Sequence, residues 1–165
     1  MIPEILNSNA MTLDFLRRLV EDVPDELMTK QPPGVVNHPA WVLGHLIHSM
    51  EAIGGEMGLS PWLPSDWKAR FGTGNVPSDN RAEYPSKESL LAALADGQHR
   101  ITKQFAVLGE QGLKHALPDE KHRALFPTIG DAVLHILTAH AALHVGQLTV
   151  WRRAAGLGPL MKLFI

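Results

Sequence analysis

Four stretches of the chain repeat apolar residues at the three-and-four spacing of a helix with one buried side. In the first, Leu6, Leu13, Leu16, Val20 and Val23 form the stripe, with Pro3 at its start and Pro24 at its end. This predicts a helix over about 3–22. A second is predicted from Pro39, capped by Asn37 or His38, to about residue 57, with Trp41, His45, His48 and Ala52 sharing a face. A third runs over about 86–108 on Leu90, Leu94, Ile101, Phe105 and Leu108, with Ser86 as its cap and Glu88 beside the positive end of its dipole. A fourth begins at Thr128, where Asp131 stands three residues on as in a capping box, and ends near Gly156 after Arg152 and Arg153.

Between these stretches the pattern breaks. Pro32-Pro33-Gly34 forbids regular helix after the first. Residues 58–85 hold Pro61, Pro64, Pro77 and Pro85, three glycines, and the aromatics Trp62, Trp67 and Phe71. So long a connection is often functional. Its aromatics can line a pocket mouth or cover an interface, but the favoured reading is that they pin the loop onto the bundle. A second connection spans 109–127, and the apolar tail 156–165, with Pro159, reads as an extended packed segment. There is no strand and no repeat in the pattern. The expectation is an all-α, four-helix bundle in a single domain over 1–165, with the long loop between helices two and three.

The 165 residues are 45% hydrophobic, enough for a core without staples. No run of consecutive apolar residues reaches the ~18–20 needed to span a bilayer, and no signal peptide is evident. The expectation is a cytoplasmic protein without membrane contact. A net charge of −2 with no basic stripe gives nucleic-acid binding no electrostatic support. The chain has no cysteine, which removes disulfides, Cys nucleophiles and thiolate ligands together. Any thiol chemistry has to use a thiol brought from outside.

Nine histidines is a high count, and two of them fall in the buried stripe of the fourth helix. His140 and His144 are four apart, so their rings project from one face and can share an ion. Gln147 and Trp151 lie in the same stripe, whereas His135, Arg152 and Arg153 leave it. The second helix offers His45 and His48, either of which can be a third ligand on spacing alone. Three neutral imidazoles suit zinc, nickel or another divalent ion, and leave a position free for a water or a thiol. The competing reading is a buried hydrogen-bond network without metal. His38, His99, His115 and His122 are expected at caps, exposed faces or loops, solvated and with no role.

His140-x-x-x-His144-x-Gly146-Gln147-Leu148, followed by Trp151-Arg152-Arg153 and Gly156-Leu157, resembles the C-terminal signature of the DinB/YfiT-like superfamily. Pro39-Ala40-Trp41-Val42-Leu43-Gly44-His45-Leu46 resembles its second-helix signature, where a tryptophan precedes a metal histidine by four. The resemblance implies an up-up-down-down-like bundle, often a homodimer, with a divalent metal, commonly zinc or nickel. By position its ligands would be His45, His140 and His144, with His48, Gln147 and Trp41 around them. The family's carboxylate after the second-helix histidine has its nearest equivalent at Met50 or Glu51. The resemblance also implies an enzyme that transfers a low-molecular-weight thiol (bacillithiol, mycothiol or glutathione) to a small electrophile, or hydrolysis by a metal-activated water. The alternative is a non-catalytic, stress-related bundle that binds a metal or small ligand.

Overall fold

A computed structural model describes residues 2–158; the tail expectation lies outside them beyond Gly158. Helices α1 (Ile2–Glu21), α2 (Pro39–Glu56), a short α3 (Trp67–Phe71) and α4 (Lys87–Gly112) come first. Then α5 (Ile129–Leu134), a π-helical turn (His135–His140) and α6 (Ala141–Ala154) form one continuous rod. The four long rods pack around one core with no strand among the described residues, the all-α bundle that the periodicity predicts.

The caps explain where the rods begin. The His38 side chain accepts the Trp41 N–H, and Pro39 needs no partner for its nitrogen. Ser86 accepts the Ser89 N–H. Thr128 and Asp131 cap each other reciprocally as a full capping box. α4 continues past Leu108 only by breaking at Gly109, whose φ of 63° suits a residue without Cβ.

Helix direction differs from the expected order. Asn9 meets Leu137 and Leu19 meets Arg152, so α1 and α6 run the same way. Met50 meets Gly97 and Met57 meets Gln104, so α2 and α4 run together. Asn37 meets Gln147 while His45 meets His140, so α2 and α6 oppose each other. The order is up-down-down-up instead of up-up-down-down. The physical reason is the long loop. A parallel α2 and α4 require the chain to travel back the length of α2, about 27 Å for 18 residues. It does so in steps. Trp62 and Leu63 donate backbone N–H groups to Glu51, Trp67 donates to the Gly44 carbonyl, and Ser78 meets His38. Arg81 then pairs with Asp25 beside the start of α4. Trp67 and Phe71 are buried, as expected of residues that pin the loop down.

The last rod departs from a uniform α-helix. Its π turn widens the backbone before His140, a feature frequent at functional sites. The Asn9 side chain, buried in α1, donates to the Leu137 carbonyl within it at 2.9 Å. Arg152 does not leave the buried stripe. It is 2% exposed, pairs with Asp22 and donates to the Leu19 carbonyl. Phase from an ideal helix fails here because a guanidinium can lie inward where a carboxylate and a carbonyl receive it. By length and composition the rod Ile129–Ala154 passes for a membrane span, but its inward side carries the bundle core.

Candidate metal centre

Three ring nitrogens converge between α2 and the last rod. His45 projects from the middle of α2, His140 closes the π turn, and His144 sits one turn on in α6. Nε2 of His140 lies 3.1 Å from Nε2 of His45 and 3.2 Å from Nε2 of His144. Nitrogens held about 2.0–2.1 Å from a tetrahedral ion stand roughly 3.3–3.4 Å apart. Two edges of the cluster therefore match those of a coordination shell, the three ligand atoms all lie within 4.8 Å of one another, and these three histidines can hold a metal ion. His48, the other histidine that spacing allows, is outside the cluster.

Two of the rings are oriented from behind. Nδ1 of His45 donates to the Phe71 carbonyl at 2.8 Å, and Nδ1 of His144 lies 2.9 Å from Oε1 of Gln147. That oxygen also accepts from Nδ2 of Asn37. A carbonyl only accepts, so both Nδ1 atoms carry the proton and both Nε2 atoms present bare lone pairs. Trp41 stacks on His45 with ring centroids 4.8 Å apart and walls the site on one side. Phe71 reaches the site because Gly44 has no Cβ; one would land inside the Phe71 ring.

The proton count bears on the choice between a network and an ion site. His140 Nε2 can carry at most one hydrogen, which can satisfy one of the two lone pairs that face it. The other lone pair stays buried without a donor, and Nδ1 of His140 is itself buried without a partner. Protonating a second ring would supply the donor, but the surroundings oppose it. Burial, then neighbouring imidazoles, push His140 down to about 4. Burial and His45 push His144 to about 4 despite its bond to Gln147, and burial lowers His45. All three rings are neutral at pH 7, the form that binds a cation, and a cation satisfies every lone pair at once.

Outside the cluster, a cavity of about 490 Å³ opens beside His140. It is bounded by α2, the 113–128 connection and the π turn. His48 lines it, with its Nδ1 buried and unpartnered and its pKa lowered by burial. His135 is exposed, as its position on the helix predicts, but it also lines the cavity against Phe126. His122 lines it too, bonded to Asp119, although no role is expected from sequence.

Two sequence expectations need correction. Met50 is buried in the core, and Glu51 holds the Trp62 and Leu63 N–H groups, so neither joins the histidines. His38 is fully buried, because both its ring nitrogens find backbone partners at Trp41 and Ser78. Sequence reading also missed Phe71 and Asn37, which fix the cluster from behind. A backbone carbonyl leaves no side-chain signal. The bare Gly44 one position before His45 was the available clue that a ring packs there.

No curated protein and no solved structure matches the chain. A family model described as the DinB superfamily matches residues 10–148, the span that contains all three converging histidines, and the chain belongs to that superfamily.

Proposed function

We propose that the chain is a metal-dependent enzyme in which His45, His140 and His144 hold a divalent ion, zinc or nickel, and a low-molecular-weight thiol is transferred to a small electrophile. The observation that carries the site is the surplus of lone pairs at three converging Nε2 atoms, among which His140 can supply at most one hydrogen. A divalent ion held there supplies positive charge that lowers the pKa of a water or thiol placed beside it. The chain's residues do the rest. Phe71 and Gln147 fix two rings, Trp41 excludes water from one side, and His140 faces the cavity from which a reactant can approach. With an epoxide, the thiol sulfur forms a bond to carbon, a carbon–oxygen bond breaks, and the freed oxygen takes up the proton that the thiol released. Hydrolysis, with water in place of the thiol, is the nearest variant.

Metal analysis of untagged protein after exposure to zinc and to nickel tests the site, and less than one-tenth equivalent of either refutes it. A panel of thiols and electrophiles, with and without chelator, tests the reaction. Conjugate formation that stops on chelation supports it. No product from any pair, with metal bound, makes the chain a non-catalytic binding module. The same reading includes a homodimer, supported by Leu134, Leu143 and Val150, which stand exposed on the last rod between the exposed charges Asp131 and Arg153. Light scattering that gives a monomer mass refutes that part.

A further inference from the structure

The cavity beside His140 has a character of its own. Leu117, Leu125 and Phe126 of the 113–128 connection face Ala52 and Ile53 of α2 and Ile136 of the π turn across it. That wall is preformed. Ala116 pairs with Thr128, Leu117 donates to the Pro127 carbonyl, and Ile129 donates to the His115 carbonyl. Two carboxylates, Glu56 and Asp119, line the same space, and no lysine or arginine is among its lining residues. Glu56 accepts the Asp119 N–H at 2.9 Å, and Asp119 accepts the Lys121 N–H and pairs with His122. Arg123 on the same connection is engaged elsewhere, by the Leu117 carbonyl and Glu120.

We infer that this cavity takes an uncharged, largely apolar small molecule and refuses carboxylates and phosphates. Its volume suits a small organic ligand. A carboxylate against these protein walls would lose hydration on the Leu, Ile and Phe side chains, find no lysine or arginine to pair with, and meet two fixed negative charges. An uncharged molecule pays none of these penalties. Resting on the reaction proposed above, the occupant is the electrophile. The carboxylate-bearing part of a thiol such as glutathione then lies outside this cavity.

The test is calorimetric titration of metal-free protein with 4-methylbenzyl alcohol and with 4-methylbenzoate, which match in size and differ in charge. Metal is left out because a carboxylate can ligate an ion directly. The alcohol is expected to saturate one site at least tenfold more tightly than the benzoate. Glu56→Gln should narrow that ratio severalfold without weakening the alcohol. Ala52→Phe, a change on an exposed helix position that fills the cavity, should abolish alcohol binding, and Leu125→Ala should weaken it severalfold. Circular dichroism confirms that each variant is folded. Benzoate binding as tightly as the alcohol, no saturable alcohol binding, or alcohol binding unchanged in both Ala52→Phe and Leu125→Ala would overturn the inference. Because no ion takes part, these outcomes are independent of the metal analysis.

Discussion

His38 and the His45–His140–His144 cluster both meet α2, and burial depresses the pKa of both. Around His38 the protein supplies every partner. Nδ1 accepts the Trp41 N–H at 3.2 Å, Nε2 donates to the Ser78 carbonyl at 2.9 Å, and the Tyr84 ring packs edge-on. Around the cluster it supplies partners behind His45 and His144 but none behind His140, and the inward nitrogens face each other. Burial and a depressed pKa are therefore common to a structural histidine and a candidate ligand. What separates them is whether donors and acceptors balance.

The largest expected effect breaks the comparison at the cluster. His140→Ala should lower zinc or nickel affinity by about a thousandfold or more, beyond the 10–100-fold typical of outer hydrogen-bond partners. In metal-free protein the contrast should invert. His140→Leu is expected to leave the midpoint of thermal unfolding unchanged or raise it, since it removes an unsatisfied buried ring. His38→Leu strands the Trp41 N–H and the Ser78 carbonyl and should destabilise by about 2–4 kcal/mol in urea titration. Equal losses from both substitutions would mean that the cluster is a satisfied network.

The second effect is a pH dependence at His38. Its folded pKa is about 4, against 6.5 for the unfolded ring, because burial outweighs the backbone bonds and Arg81 adds repulsion. The folded state stays neutral while the unfolded chain takes up a proton. The contribution is thus fully present above pH 6.5, shrinks as pH falls, and is gone by about pH 4. Its size is about 3 kcal/mol. Urea unfolding of metal-free protein at pH 7 and pH 5, compared with His38→Gln, isolates it from the cluster rings, which lean the same way. A variant with the same pH slope as the parent sinks this assignment.

How far the sequence foretells these sites depends on what signals them. The rods, their caps and the His140/His144 pair follow from periodicity and cap chemistry, which are local. The pairing of His45 over His48 with them is a matter of how α2 turns against the last rod, and spacing leaves both open. Helix order is not local either, because direction depends on where a loop lands. The 58–85 segment returns along α2 through contacts at Glu51, Gly44 and His38 that no local pattern marks. The cap role of His38 follows from its place before Pro39, but its burial comes from that same returning loop. The π turn likewise leaves no mark in the pattern, since the i→i+5 bonding that defines it is made by the backbone and carries no side-chain signature.

The third effect sharpens the role of partners behind the rings. Gln147→Leu leaves Nδ1 of His144 without an acceptor and releases Asn37. Metal affinity should fall about 10–100-fold, with a smaller loss of stability. Gln147→Glu keeps an acceptor and should restore most of the affinity. Isothermal titration with zinc measures both, and a leucine variant that binds like the parent would show that the ring needs no outer partner.

The smallest effect concerns His135. Its ring centroid lies 6.3 Å from that of His140, close enough to raise the question of a fourth ligand. The side chain is exposed, stacks near Phe126 at 5.1 Å, and is absent from the converging group. If the ion site is the three-histidine face, one position stays available to a reactant and His135 contributes nothing to holding the metal. His135→Ala should then change stability by no more than about 0.5 kcal/mol, and zinc affinity by less than twofold. A tenfold loss of affinity would place a fourth imidazole on the ion, close the position that the proposed chemistry requires, and recast the cluster as a structural site.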